Sequence, residues 1–188
     1  ECRSSSTLPT AILITGDVVW DNMAFLPRVK ELFEGLDAEL ITVIGNHDHN
    51  RRHQRNQAKA ERDYIATWGS RNQAFMLGET LFVTLDNIDY TDFSAYGLKV
   101  DADQLIWLAE VMEGAGDVQR VAVCRHASAC DFTTEQLKAY VKPVVGIIGD
   151  REIHFITGHR HHHDTADVSP TIIEHNVSQV NGNLWFAP

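Results

Sequence analysis

The sequence predicts a single α/β domain, and three observations carry that prediction. Short apolar runs of strand length alternate with segments of helical period along the chain. Four of those runs end in polar loops rich in Asp, Asn and His. The composition is that of an ordinary soluble globular protein, with 188 residues, 44% hydrophobic and 22% charged, and one domain is the expected size for that length.

The elements follow in order. Ala11 to Thr15 reads as a buried strand that opens into Gly16-Asp17. Asp21 or Asn22 offers an N-cap for the next helix, where Pro27 is tolerated in the first turn. Asp21 is the preferred cap, a role beside the ligand loops being its alternative. Phe25, Val29, Leu32 and Leu36 give that helix its apolar face, and Gly35 stands near its end. Leu40 to Ile44 is the second strand and runs into Gly45-Asn46-His47-Asp48.

Residues 50–63 are polar and carry Arg51, Arg52, Arg55, Lys59 and Arg62, which reads as a solvated loop face. His49 and His53 fall in this stretch and are expected to be solvated. Helical spacing resumes through Ala60, Tyr64, Ile65 and Trp68. Ala74 to Leu77 and Leu81 to Leu85 form strands joined by a turn at Gly78-Glu79. Leu105, Leu108, Ala109 and Met112 mark a second amphipathic helix. Val121 to Cys124 is a strand ending at Arg125-His126. Thr133 and Gln136 fit a capping box for a helix with Leu137, Tyr140 and Val141. Ile153 to Thr157 ends at Gly158-His159, and Ile172-Ile173 and Leu184-Trp185-Phe186 read as strands. Trp68, Trp107 and Trp185 fit as core or interface fillers. No repeat, linker or low-complexity segment interrupts this order.

Charge and composition exclude several classes of function. Sixteen basic against 26 acidic residues leave a net charge of −10, a surface that repels a phosphate backbone and argues against general nucleic-acid binding. No apolar run approaches a membrane span, and no signal-like segment stands at the start. Cys2, Cys124 and Cys130 are three in number and suggest neither a disulfide framework nor a thiolate zinc site.

Histidine is more informative. Of ten histidines, seven lie in two clusters, His47, His49, His53 and His159, His161, His162, His163. In layered α/β proteins ligands collect at the carboxyl ends of strands, where loops converge. The four strand-end loops supply carboxylate, amide and imidazole donors without a thiolate, a set that suits Mn, Fe or Zn. A glycine before several of these donors lets the backbone turn sharply at the strand end. His162 and His163 read as loop residues beside the ligands. His175 reads as a packing residue, and Arg125 either meets a substrate phosphate or points into solvent.

Taken together, Gly16-Asp17 with Asp21, Gly45-Asn46-His47-Asp48, His126 and Gly158-His159-Arg160-His161 resemble the ordered signature of calcineurin-like metallophosphoesterases. The resemblance covers about residues 10–188. Leu85-Asp86-Asn87-Ile88 and Glu174-His175-Asn176-Val177 resemble a bacterial subgroup in which such a core sits between accessory domains. The resemblance implies a four-layer α/β/β/α sandwich, with two mixed sheets face to face and helices outside, over residues 1–188. It also implies two divalent metal ions, Mn, Fe or Zn. Asp17 would bridge them, Asn46, His126 and His159 would bind the second, and His161 the first. His47 would protonate the leaving oxygen or stabilise the phosphoryl oxygens, oriented by Asp48.

The implied reaction is hydrolysis of a small phosphomonoester or phosphodiester by a metal-bound hydroxide, two ions ~3.5–4 Å apart clamping the phosphoryl oxygens. The family opens with an Asp-x-His pair on its first strand, and this chain contains none. The expectation is therefore a core trimmed at its N-terminus, the alternative being a divergent member with a weakened first site; in either case the first metal keeps only Asp17 and His161, short of a full dinuclear centre. A catalytically inactive domain serving as a binding or scaffold module is the alternative. The resemblance also leans towards an exported, periplasmic protein. Oligomeric state is not legible.

Overall fold

The computed structural model describes residues 11–36, 38–53, 55–90, 96–128 and 141–179. The apolar run Ala11–Ile14 forms β1 and pairs in parallel with β2, Glu39–Thr42. Between them Asn22 caps a short 3₁₀ turn through the amide of Ala24, and α1 follows over Leu26–Glu34, with Pro27 in its first turn. The cap is Asn22 and not Asp21, whose carboxylate is engaged elsewhere.

The apolar stripe of α1 lies one position away from the expected one. Leu26 is fully buried, and Val29 and Met23 pack with it against Ile44, Val19 and Tyr64. Phe25, Leu32 and Leu36 are exposed. Leu26, Val29 and Phe33 follow the i, i+3, i+7 rule equally well, so hydrophobicity alone did not choose between the two faces.

The polar stretch expected as a loop is instead largely helical, with a 3₁₀ turn at Arg51–His53, α2 over Gln57–Ala60 and α3 over Arg62–Trp68. Tyr64 of α3 donates its hydroxyl to Thr42 Oγ1 of β2 at 2.7 Å, fastening this helical layer to the two-stranded sheet.

The larger sheet has six strands in the order β3-β4-β7-β8-β10-β9. These are β3 Ala74–Leu77, β4 Thr80–Thr84, β7 Arg120–Cys124, β8 Glu152–Thr157, β9 Asp164–Ser169 and β10 Ile172–Asn176. The four central strands are parallel, and the edge strands β3 and β9 run antiparallel to their neighbours. Parallel neighbours need crossovers, and α4, Ala102–Gly114, and α5, Lys142–Ile148, lie on two of them. Leu108, Met112, Val144 and Ile148 from these helices pack on Leu81, Val83, Val121, Val123, Ile153 and Phe155 from alternate strand positions, forming the main core.

The architecture is the expected α/β sandwich. Two details differ: among the described residues the smaller sheet is two parallel strands and not mixed, and a separate antiparallel pair joins β5, Ile88–Asp89, to β6, Gly97–Leu98. Two-residue strands carry no periodicity to read. The Thr133–Val141 helix lies outside the described residues up to residue 140, as does the expected strand at Leu184-Trp185-Phe186.

Candidate metal centre

Four polypeptide turns meet where the carboxyl ends of β1, β2, β7 and β8 converge. After β1 the chain turns at Gly16, with φ +94°, and Asp17, with φ +55°. After β2 it passes through buried Val43 and Ile44 to Gly45 and Asn46. Gly45 touches Asp17 so closely that a Cβ there would overlap the Asp17 amide nitrogen and carboxylate. Its glycine therefore reflects close approach, whereas Gly16 also needs its left-handed backbone. Asp21, His159 and His161 also hold φ between +58° and +66°. Such backbone costs about 1–3 kcal/mol per residue and collects at functional sites.

The side chains brought together are Asp17, Asn46, His126 and His159. His126 Nδ1 lies 2.7 Å from the Thr15 carbonyl, which only accepts, so Nδ1 carries the proton and donates it,. Its Nε2 then faces inward, 3.0 Å from Asn46 Oδ1, 3.0 Å from His159 Nδ1 and 3.3 Å from Asp17 Oδ2. Ligand atoms of Asp17, His126 and His159 all lie within 4.8 Å of one another. A carboxylate, an amide oxygen and two imidazoles aimed at one point form a donor set that fits a divalent cation of the Mn, Fe or Zn kind.

Outer contacts hold these donors in place. The His47 amide donates to Asp17 Oδ1 at 2.9 Å, and the Tyr96 hydroxyl meets His159 Nε2 at 3.1 Å. Tyr90 donates its hydroxyl to the Asn46 carbonyl. Burial pushes the Asp17 carboxyl up, but its hydrogen bond and attraction to His126, with the His47 amide, hold it below the usual carboxylate range. Burial pushes His126 down, and Asp17 more than offsets this, so its pKa is raised. The pocket stabilises positive charge at that point.

Beside this cluster His47 is held by residues other than the expected one. Its Nδ1 lies 3.0 Å from Asp21 Oδ1, while Asp21 Oδ2 accepts from Arg51 Nη1 at 3.0 Å. The ring of Trp20 stacks on the His47 imidazole at 3.9 Å with planes 17° apart. Asp48, assigned above to orient His47, is fully buried, and its two oxygens accept the amides of Val19 at 3.0 Å and Gly45 at 2.9 Å. It ties the loop after β1 to the loop after β2. Burial raises its carboxyl to about 6 against the pull of those amides.

His161 is not part of the cluster; it is half-buried, and its carbonyl accepts from Ser178 Oγ. His162 is an exposed loop residue bonded to the Arg160 carbonyl, as expected. His175 lies away from the site with its Nε2 2.9 Å from His154 Nδ1. Arg125 follows neither expectation. It is buried, its guanidinium sits 4.1 Å over the Phe155 ring, and Nη2 lies 3.9 Å from Glu174 Oε1. It belongs to the helix-side core of the large sheet.

His49 is the other correction. It is fully buried, with Nδ1 2.8 Å from the Gly45 carbonyl and Nε2 3.1 Å from Asp86 Oδ2. Gln57 donates to the same Asp86 oxygen, and Gln104 bonds both backbone groups of Asp86. Asn87 clamps both backbone groups of Ala127, beside His126. Asp86 and Asn87 thus brace the two ligand loops from behind. Their only signal in the sequence is the polar pair closing an apolar strand, which resembled a subgroup motif without disclosing a role.

Comparison with known proteins places this geometry. The family description "calcineurin-like phosphoesterase" matches residues 5–163. No curated protein matches the chain by sequence. Among solved structures, a dimetal phosphatase from Danio rerio superposes with a TM-score of 0.58 at 14% identity, covering 90% of this chain and 72% of that one. A 5'-nucleotidase from Candida albicans superposes with a TM-score of 0.57 at 12% identity, covering 90% of this chain and 37% of that one. The chain thus spans little more than a third of the nucleotidase. At these identities the superpositions establish the fold. No helix among the described residues is long and apolar enough to cross a membrane.

Proposed function

Since the chain belongs to the calcineurin-like phosphoesterase family, we propose that its site holds divalent metal and hydrolyses a phosphate ester, with Asp17, Asn46, His126 and His159 as ligands. The convergence of these four donors on one point, from four separate strand ends, carries the proposal. Divalent ions bound there would supply Lewis-acid stabilisation of the charge that builds on the phosphoryl oxygens.

The protein's own groups divide the remaining work. The Thr15 carbonyl accepts Nδ1–H of His126 and so fixes its tautomer and aim, with the Nε2 lone pair facing the ligand point,. The His47 amide occupies one Asp17 oxygen and leaves the other turned to the cluster. Asp21 accepts from Nδ1 of His47, which leaves Nε2 to hand a proton to the leaving oxygen,. Trp20 fixes the plane of that ring. Asp48 acts through the backbone, by holding the two loops in register. His161, expected at the first metal, lies outside this set of four.

The test is metal content and turnover measured together. Mn²⁺ binding by calorimetry to the chain and to His126→Ala, with hydrolysis of p-nitrophenyl phosphate and bis(p-nitrophenyl) phosphate in added and omitted Mn²⁺, distinguishes the outcomes. Binding that needs His126, with metal-dependent release of nitrophenolate, is expected. Absence of both binding and hydrolysis overturns the proposal and favours the scaffold alternative.

A further inference from the structure

Trp20 is an expensive residue to leave in water. Tryptophan normally buries a large apolar area, yet here the side chain is 68% exposed. It is not loosely held. Val19, on one side, is buried and donates its amide to Asp48. On the other side Asp21 is locked at φ +58° and bonded to His47 and Arg51. The stack on His47 occupies one ring face, and the exposure leaves the other face open. A rigid, open aromatic face costs little ordering entropy when a planar ring settles on it.

The position of this face determines which part of a substrate meets it. His47 serves the leaving oxygen in the reading above, on which this inference rests. A leaving group joined to that oxygen lies beside His47, the residue on which the Trp20 ring stacks. The residues that follow Trp20 in the chain, Asp21, Asn22 and Met23, line with Asn50, Arg51 and Arg52 a groove of about 230 Å³. There is thus both a platform and room for a group larger than a short alkyl alcohol.

We propose that Trp20 is a stacking platform that selects phosphate esters whose leaving alcohol carries a planar aromatic ring, a nucleoside or aryl group. Stacking on tryptophan tolerates many rings, so the selection is for aromaticity and not for one base.

The test compares two uncleavable probes, the methylene phosphonate analogues of AMP and of ribose 5-phosphate, by calorimetry with Mn²⁺. They share the sugar and the phosphonate and differ at C1', which carries adenine in one and a hydroxyl in the other. The unmodified chain should bind the adenosine probe about tenfold more tightly. Trp20→Ala should bring the two affinities within about twofold, and Trp20→Phe should keep most of the preference. Each ratio is taken within one variant, so a disturbance of His47 cancels. Equal binding of the probes by the unmodified chain, failure of both to bind, or a preference that survives Trp20→Ala overturns the proposal. A ring preference of this kind in a chain that hydrolyses neither p-nitrophenyl phosphate nor its bis-ester would sink the phosphoesterase reading and leave the platform standing.

Discussion

Nδ1 of His47 and Oδ1 of Asp21 stand 3.0 Å apart across 26 residues of sequence, joining the loop after β2 to the loop after β1. The pair lies beside the Asp17–His126–His159 cluster, the His47 amide bonding Asp17, with Asp21 also holding Arg51. It gives His47 a defined tautomer and leaves Asp48 to a purely architectural task. In the proposed reaction, proton delivery by His47 depends on Asp21.

Asp21→Asn weakens the hydrogen bond that orients His47 through Nδ1. Turnover should fall on the order of 10²-fold with KM changed little, the pattern of a lost proton-transfer contribution. Steady-state kinetics with p-nitrophenyl phosphate check this. Arg51→Ala, which breaks only an exposed ion pair, should change turnover far less.

Metal affinity should separate ligands from their supports. Asp17→Ala and His126→Ala should each weaken Mn²⁺ binding by more than about 100-fold, and Tyr96→Phe by roughly 10-fold, because Tyr96 acts through the far nitrogen of His159,. Calorimetric titration gives all three values. Equal losses at Tyr96 and His126 would mean that the inner set is wrongly drawn.

Stability should fall as pH rises through the neutral-to-alkaline range, through His49. Burial lowers its pKa, but Asp86 and the Gly45 carbonyl outweigh burial and the result is raised. A histidine raised in the folded state binds its proton more tightly there than when unfolded. Its contribution is complete below the unfolded value of about 6.5 and is lost as pH passes through the higher folded value. Guanidinium unfolding at pH 6 and pH 9 should show the loss. His49→Gln should flatten that slope and cost about 3 kcal/mol at pH 6, by leaving Asp86 buried without its cation.

Gly45→Ala places a methyl group against the amide and carboxylate of Asp17. The two loops must then part, at a cost of about 2 kcal/mol, and Mn²⁺ binding should weaken with the fold. Thermal unfolding and metal titration of one sample test both effects. Unchanged Mn²⁺ affinity would show that the Gly45–Asp17 contact is not what sets the ligand geometry.

Much of this was readable in the order of residues. Strand and helix periodicity located β1, β2, β3, β4, β7, β8 and α4, because those signals are local and repeat several times within each element. The four loops that meet at Asp17, Asn46, His126 and His159 were legible since each of these residues stands just past a strand, where a parallel sheet gathers its loops,. What tertiary structure alone decided is the set of pairings across the chain. Which face of α1 is buried depended on Ile44 and Tyr64. Whether Asp21 or Asp48 serves His47 depended on how the loops after β1 and β2 cross. His49 and Arg125 look like solvent residues in sequence, and they are buried because Asp86 in one case and Phe155 with Glu174 in the other wait on distant strands. Periodicity reports the face a residue shares with its neighbours; the partner of a buried charge is set by contacts tens of residues away, and only the packed chain contains them.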